Sequence, residues 1–461
     1  MFEDKIFYHI YPLGFCGAPR NNDFSSPAGS GLRSLADHIP HLQKLGINAV
    51  IIGPLFESSA HGYDTLDYFW VDRRLGTNAD LKALVCAYRK AGIAVALDAV
   101  FNHSGRHFFA FKDLLQNREN SPYRDWYSGV DFGGRSPMGD AFSYHGWAGC
   151  YDLAQFNGHC RAVREHLFKA AEFWINEFDI DGLRLDAASE LLPDFMDELN
   201  VFCKSLRPGF WLMGETVGGD YRNFAREGRL DSVTNYAMYK GLWSCFNDHN
   251  FYEIAWTLNQ QYGAKGIYRN LTLYNFTDNH DVNRAASVLR DKAHLFPLYG
   301  LLFTVPGIPS IYYGSEFGIT GERTKNSDYA LRPRWDKEQW EKSMVKEAAD
   351  GNNGYSNGAD LEHYISQLIQ IRRSNPALWS GPYRELFLSH NQFAFLREDE
   401  HYPIAVAVNS ERMERSIVIP PAKLPGRRRW KNLFSGEILN TGGEGLSIPL
   451  KASELLILRG E

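Results

Sequence analysis

Short apolar, β-branched or aromatic runs alternate with helical stretches over residues 1–380, and the alternation repeats eight times. The candidate strands cover residues 5–11, 49–53, 93–101, 180–186, 210–215, 231–235, 271–276 and 310–313. Between them lie patterns such as residues 161–178, where Val163, Leu167, Ala170, Ala171 and Trp174 recur at helical spacing. Eight strand–helix units predict an α/β fold, a parallel (β/α)8 TIM barrel whose active site lies at the C-terminal ends of its strands. A doubly wound open sheet has the same local pattern, but eight units fit closure better.

Two regions depart from this rhythm. From Asn102 to about His159 the chain is rich in Gly, Ser, Pro and aromatic residues and has no helical period. Loops beyond ~15 residues are uncommon unless they are functional or fold as their own unit, so residues 104–160 are expected to form a subdomain inserted after strand three. Past Asn375 and Pro376 the pattern becomes alternating strands at residues 392–396, 404–408, 416–419, 429–433, 446–450 and 454–458. Turn residues separate them, which predicts a C-terminal antiparallel β-sandwich over 381–461. The barrel is then residues 1–103 and 161–380.

Carboxylates stand at several predicted strand ends: Asp98, Asp186, Glu215 and the pair Asp278 and Asp281. An acidic residue is ordinarily a solvated surface charge, and burying one is costly unless a partner or a reaction needs it. Four strand ends of a barrel each carrying one, inside apolar segments, point to a site that uses carboxylates. Arg184 lies two residues before Asp186 and shares its face of the strand, where it can hold a buried anion ionised and aimed.

The segments around these residues resemble the α-amylase family of retaining glycoside hydrolases. Asp98-Ala99-Val100-Phe101-Asn102-His103 is similar to the family's strand-three motif, and Gly182-Leu183-Arg184-Leu185-Asp186 to the strand-four motif. Gly214-Glu215-Thr216 falls where the strand-five acid/base belongs. Phe276 to Asp281 matches the strand-seven motif, Gly307 to Gly314 the strand-eight signature, and Gly62-Tyr63-Asp64 the loop after strand two. The six occur in the family's order. The resemblance implies Asp186 as nucleophile, Glu215 as acid then base with a proton affinity raised by burial and neighbouring carboxylates, and Asp281 as the third carboxylate. It further implies that Tyr63 stacks on the reacting sugar, that His103 and His280 hydrogen-bond its hydroxyls, and that Asp98 orients Arg184 and His103.

Many family members hold a structural calcium through the strand-three Asn, the inserted subdomain and a His four residues after the nucleophile. Here Asn102 is in place as a candidate ligand, but Glu190 stands at the His position. The Ala188-Ser189-Glu190 run resembles more closely the calcium-independent maltooligosaccharide-processing branch, so no cofactor is required. The segment from Tyr151 to Asn157 departs from the family's common variants of its subdomain motif. The resemblance leaves open an α-1,4-glucan hydrolase, a cyclomaltodextrinase or maltogenic amylase, an α-glucosidase or a 4-α-glucanotransferase, all sharing these residues. A non-catalytic amylase-like interaction protein would lack the carboxylates and carry an anchor. Trp147, Tyr239 and Trp243 are candidates to line the acceptor side, and Arg332 to bind a donor-side sugar.

Composition narrows the partners. Net charge is −6 with basic residues scattered, so no nucleic-acid partner is expected. No apolar run reaches the ~18 residues of a membrane helix, and the first residues lack a signal-peptide pattern, which predicts a cytoplasmic protein. The six Cys show no CxxC spacing and are expected as free thiols. Strand one begins at Lys5, without the N-terminal sandwich that cyclomaltodextrinases use to dimerise, so a monomer acting on an α-glucan oligosaccharide is expected. The aromatic share, 14%, suits a site that stacks sugar rings.

Overall fold

The computed structural model describes residues 2–325, 327–342 and 358–461. Residues 343–357, counted with the barrel segment from sequence, lie outside the described residues. In chain order the first strands are β1 (Phe7–Ile10), β2 (Ala49–Ile52), β3 (Ala94–Ala99), β4 (His103–Gly105), β5 (Gly146–Trp147) and β6 (Cys150–Gln155). They are followed by β7 (Gly182–Leu185), β8 (Trp211–Gly214), β9 (Ser232–Val233), β10 (Tyr274–Phe276) and β11 (Ile308–Tyr312).

Eight of these form one sheet in the order β10-β11-β1-β2-β3-β7-β8-β9, with parallel neighbours throughout. A parallel bridge between Thr234 and Tyr274 joins the two ends, with the Asn235 N–H donating to the Tyr274 carbonyl at 2.9 Å. The sheet is thus a closed barrel, and the open-sheet alternative is excluded.

Strand side chains alternate, and the two faces separate cleanly. Phe7, Ala49, Ile51, Ala96, Trp211, Met213, Tyr274, Phe276 and Ile308 fill the barrel interior. Tyr8, Ile10, Val50, Ile52, Val95 and Leu97 face the helices on the outside. Each such apolar side chain contributes roughly 1.5–3 kcal/mol when removed from water. The predicted helix Arg161–Phe178 buries Val163, Leu167, Ala170, Ala171 and Trp174 on the expected face. Helix Asn78–Lys90 is started by a capping box between Thr77 and Asp80.

The inward register carries the mouth. Continuing by twos, Ala96 leads to Asp98, Gly182 to Arg184 and Asp186, and Met213 to Glu215. Small inner residues make this possible: a Cβ on Gly182 would meet the Trp211 carbonyl oxygen at 2.6 Å.

The segment after β3 builds a three-stranded sheet, β4-β6-β5, beside the mouth. Contrary to expectation it also contains a helix, Phe109–Asn117, which buries Ala110, Phe111 and Leu114. Its start has no capping side chain, and Phe108 and Phe109 blur the apolar stripe, so the period is hidden in the sequence.

The C-terminal region is a sandwich of antiparallel strands: β12 (Tyr383–Leu388), β13 (Gln392–Glu398), β14 (Pro403–Asn409), β15 (Arg415–Ile419), β16 (Arg429–Asn432), β17 (Ile438–Asn440), β18 (Leu446–Leu450) and β19 (Leu455–Gly460). Six form one sheet, β12-β13-β14-β19-β16-β17, and β15 pairs with β18 in the other. Between them lies a core that includes Trp430, Ile417, Ile448 and Leu458. The two strands unread from sequence, β12 and β17, are the sheet's edges, where partial exposure weakens alternation, and β12 carries a bulge between Glu385 and Phe387. Arg397, fully buried, ties the sandwich to the barrel by donating to the carbonyls of Thr304 (2.7 Å) and Gly381.

All six cysteines are free thiols. Among the described residues, no helix is long and apolar enough to cross a membrane.

Candidate active site

The strand ends converge on one guanidinium. Arg184 Nη1 donates to both oxygens of Asp98 at 2.7 Å and lies 3.5 Å from Asp186 Oδ1, while Nη2 is 2.9 Å from Glu215 Oε2. Burial works against the charge on Arg184, but Asp98 and Glu215 outweigh it and raise its proton affinity, so it stays a cation. Because one fork touches Asp186 and Glu215, the two carboxyls are close neighbours.

Asp186 is followed by a forced turn. Ala187 adopts φ 45° and ψ 42°, the left-handed region, which costs a non-glycine residue roughly 1–2 kcal/mol. The strained conformation turns the Ala187 N–H toward Glu215, donating to Oε2 at 3.3 Å. On the other side, Tyr236 donates its hydroxyl to Glu215 Oε1 at 3.4 Å and receives a hydrogen bond from Asn279 Nδ2 at 3.4 Å.

Burial, then the neighbouring charge of Glu215, pushes the Asp186 carboxyl well above the usual carboxylate range, and Arg184 opposes this only in part. Asp281 is the reverse case. Burial would raise it, but His280, Arg332 and Arg184 together hold it well below the usual range. Its side chain is 35% exposed, against 10% for Asp186 and 12% for Glu215, so it is the most open of the three carboxylates.

Around these sit the remaining predicted residues. Tyr63 donates to Asp98 Oδ2 at 3.0 Å, and its oxygen lies 2.5 Å from His280 Nε2. That same nitrogen is 2.9 Å from Asp281 Oδ2; with an acceptor-only carboxylate as partner, Nε2 is assigned the proton. The Tyr63 and His280 rings are stacked at 5.4 Å, and Tyr11 stacks on the His280 ring at 6.1 Å. His103 does not join Asp98, contrary to expectation: its Nε2 hydrogen-bonds the Tyr63 carbonyl at 3.1 Å and its Nδ1 meets Asn102 Nδ2 at 3.3 Å. Its position on β4, paired with β6, explains the difference, because the chain has already left the barrel there. Burial pushes His103 down to about 3, so it is neutral.

Asp278 is brought elsewhere. It is buried, accepts hydrogen bonds from Ser315 Oγ and the Ala285 N–H, and braces the loop after β10. Tyr239, half-buried on the helix after β9, stacks on the inward-facing Phe276 at 5.2 Å, with Trp243 beside it. Trp147 lies at the mouth, 5.7 Å from the His103 ring. Arg332 Nη2 donates to Asp281 Oδ1 at 3.2 Å, and Nε donates to the His280 carbonyl at 3.2 Å. Tyr236, Tyr11 and Asn279 escaped the sequence reading. Asn279 lies inside the motif read for Asp281, but nothing in the local pattern marks Tyr236 or Tyr11.

The surroundings of Asn102 do not fit calcium. That ion takes 6–8 oxygen ligands, commonly including carboxylates. Here Asn102 Oδ1 accepts from Gln155 Nε2 at 3.5 Å, and Asn157 Oδ1 accepts the His159 N–H at 3.1 Å. The one carboxylate lining the adjoining cavity of about 160 Å³ is the exposed Glu190. Among the described residues, no group of three or more His, Cys, Asp and Glu side chains could hold a metal.

Residues 9–381 match the sequence profile described as the alpha amylase catalytic domain. The chain belongs to the alpha-amylase family. Members are glycoside hydrolases, and this one is an enzyme of that type. It is 31% identical over 438 residues to a cyclomaltodextrinase from a Bacillus species, covering 90% of this chain and 74% of the relative. Among solved structures, a cyclomaltodextrinase superposes with a TM-score of 0.86 at 30% identity, covering 100% of this chain and 78% of the other. A cyclic alpha-maltosyl-(1→6)-maltose hydrolase from Arthrobacter globiformis superposes with a TM-score of 0.81 at 25% identity, covering 100% and 99%.

Proposed function

We propose that this alpha-amylase family member hydrolyses α-1,4-glucosidic bonds of maltooligosaccharides, linear or cyclic, with retention of anomeric configuration. The observation that carries the reading is the single guanidinium of Arg184 spanning Asp98, Asp186 and Glu215. Retaining hydrolysis needs two carboxyls roughly 5–5.5 Å apart, one attacking the anomeric carbon and one protonating the departing oxygen. Asp186 and Glu215 are the two carboxyls that this fork brings side by side.

Asp186 forms the glucosyl ester. Glu215, held by Tyr236 and the Ala187 N–H, gives its proton to the leaving oxygen and then takes one from water. Asp281, kept anionic by His280 and Arg332, accepts hydrogen bonds from the sugar's adjacent hydroxyls and favours the oxocarbenium-like ring of the transition state. Tyr63 offers an aromatic face to the same sugar; His103, whose Nε2–H is taken by the Tyr63 carbonyl, positions Tyr63, and His280 positions Asp281. Asp98 touches no reacting atom in this reading; it fixes Arg184 and Tyr63.

The relatives bearing cyclomaltodextrinase and maltosyl-maltose hydrolase names support small α-glucans as the substrate class. The test is incubation with maltoheptaose and with β-cyclodextrin, resolving products over time for the wild type, Asp186→Asn and Glu215→Gln. Water-derived short oligosaccharides from the wild type, and turnover lowered by roughly 10⁴-fold or more in both variants, are expected. Longer oligosaccharides as main products would instead assign a transferase.

A further inference from the structure

With Glu215 beside the departing group, as proposed above, the acceptor side of the mouth is the β8 side. Counting either way round the eight-stranded barrel, β1 is the fourth strand from β8. The loops after β1 and its neighbour β11 therefore stand on the donor side, where the glycosyl segment bound to the enzyme extends.

Two side chains from those loops meet. The Arg20 guanidinium carbon lies 3.7 Å from the centroid of the Tyr329 ring, a close cation–π contact. Both halves are anchored. Arg74 Nη1 donates to the main-chain oxygens of Pro19 (3.1 Å), Arg20 (3.1 Å) and Ala60 (2.7 Å), so it pins the Arg20 backbone to the loop after β2. Arg74 is itself held by Asp72 through bonds of 2.9 and 2.7 Å, and its side chain is 4% exposed. Tyr329 opens the short turn Tyr329–Leu331 that leads to Arg332, and Arg332 is fixed between Asp281 (3.2 Å) and Asp328 (2.5 Å). Tyr329 is nevertheless 39% exposed. An exposed tyrosine ring backed by a cation, on a loop tied to Asp281, is a surface for an apolar sugar face rather than core packing.

We propose that the Arg20–Tyr329 pair walls the donor end of the cleft and sets the length of the glucosyl segment that the enzyme removes. This rests on Glu215 being the acid/base. A short donor segment ends against the wall and gains the ring contact. A longer one must part Arg20 from Tyr329, because the pinned main chain at Arg20 and the turn at Tyr329 leave only the side chains free to yield.

The experiment uses maltoheptaose labelled at its reducing end, so the length of the labelled fragment reports which bond was cut. The wild type is expected to leave long labelled fragments, having removed short donor segments. Tyr329→Ala and Arg20→Ala are expected to shift the ratio of short to long labelled fragments upward by roughly tenfold, and Tyr329→Phe, which keeps the ring, to retain the wild-type pattern. Identical fragment patterns in the wild type, Tyr329→Ala and Arg20→Ala, with turnover still lost in Glu215→Gln, would overturn the wall and leave the catalytic reading intact. Persistent turnover in Glu215→Gln would overturn both.

Discussion

Nη1 of Arg184 donates to both carboxylate oxygens of Asp98 at 2.7 Å, which leaves Nη2 free to meet Glu215 at 2.9 Å. Asp98 thereby decides where the cation points. A charge placed between three carboxylates, and buried with them, cannot be replaced by a shorter or unforked group without leaving an anion unpaired.

Arg184→Lys is therefore expected to lower kcat by roughly 100-fold or more and to destabilise the fold by about 3–5 kcal/mol. Steady-state kinetics and denaturant unfolding measure the two effects. A lysine variant with wild-type kcat would show that the fork is dispensable.

Asp186 and Asp281 are predicted to respond to pH with opposite sign. The raised Asp186 carboxyl is fully accommodated below the ordinary aspartate value, roughly 3.9, and costs stability as pH rises from there toward its folded value. Asp186→Asn removes that cost, so it should be more stable than the wild type near neutrality by about 1–3 kcal/mol, with the difference vanishing near pH 4. The depressed Asp281 carboxyl contributes stability above its unfolded value and loses it as pH falls through its folded value. Asp281→Asn should be less stable than the wild type near neutrality and converge with it in acid. Thermal unfolding of the three proteins across pH decides the signs.

Gly182→Ala tests the inner layer that lets Arg184 reach the mouth. The added methyl would press on the Trp211 carbonyl oxygen at 2.6 Å and on its ring at 3.3 Å. Overpacking of this kind costs about 1–3 kcal/mol, read as a lower Tm. An unchanged Tm would mean that β7 and β8 can separate locally without penalty.

Calcium and chelators offer a fourth check. Because the Asn102 carboxamide is used by His103 and Gln155, Tm should be the same with millimolar calcium and with a chelator. A calcium-dependent rise in Tm would contradict the reading of these hydrogen bonds.

The barrel was legible because its inward and outward faces are written at period two and its helices at period 3.6. Ala96 before Asp98 and Gly182 before Arg184 show why: the pattern that packs the inner layer also aims the next residue into the mouth. What could not be read was set by contacts distant in sequence. Tyr236 reaches Glu215 from the helix after β9, and Arg332 reaches Asp281 from the loop after β11. Tyr236 has no local signal, and Arg332, read from sequence as a candidate for a donor-side sugar, has none for its contact with Asp281. His103 sits one residue past a motif asparagine, yet its ring follows the small β4-β6 sheet instead of the barrel. Helix Phe109–Asn117 and the edge strands β12 and β17 were hidden for a related reason, since aromatic crowding or exposure on both faces erases the period.

The central claim is that Asp186 attacks the anomeric carbon of an α-glucosyl unit. Its most direct test is mass spectrometry of peptic peptides after reaction with a 5-fluoro-α-glucosyl fluoride, which slows breakdown of a covalent intermediate. A 5-fluoroglucosyl adduct on the peptide containing Asp186, absent in Asp186→Asn and accompanied by α-configured first products from maltoheptaose, is the predicted result. An adduct on another residue, or β-configured first products, would contradict the account.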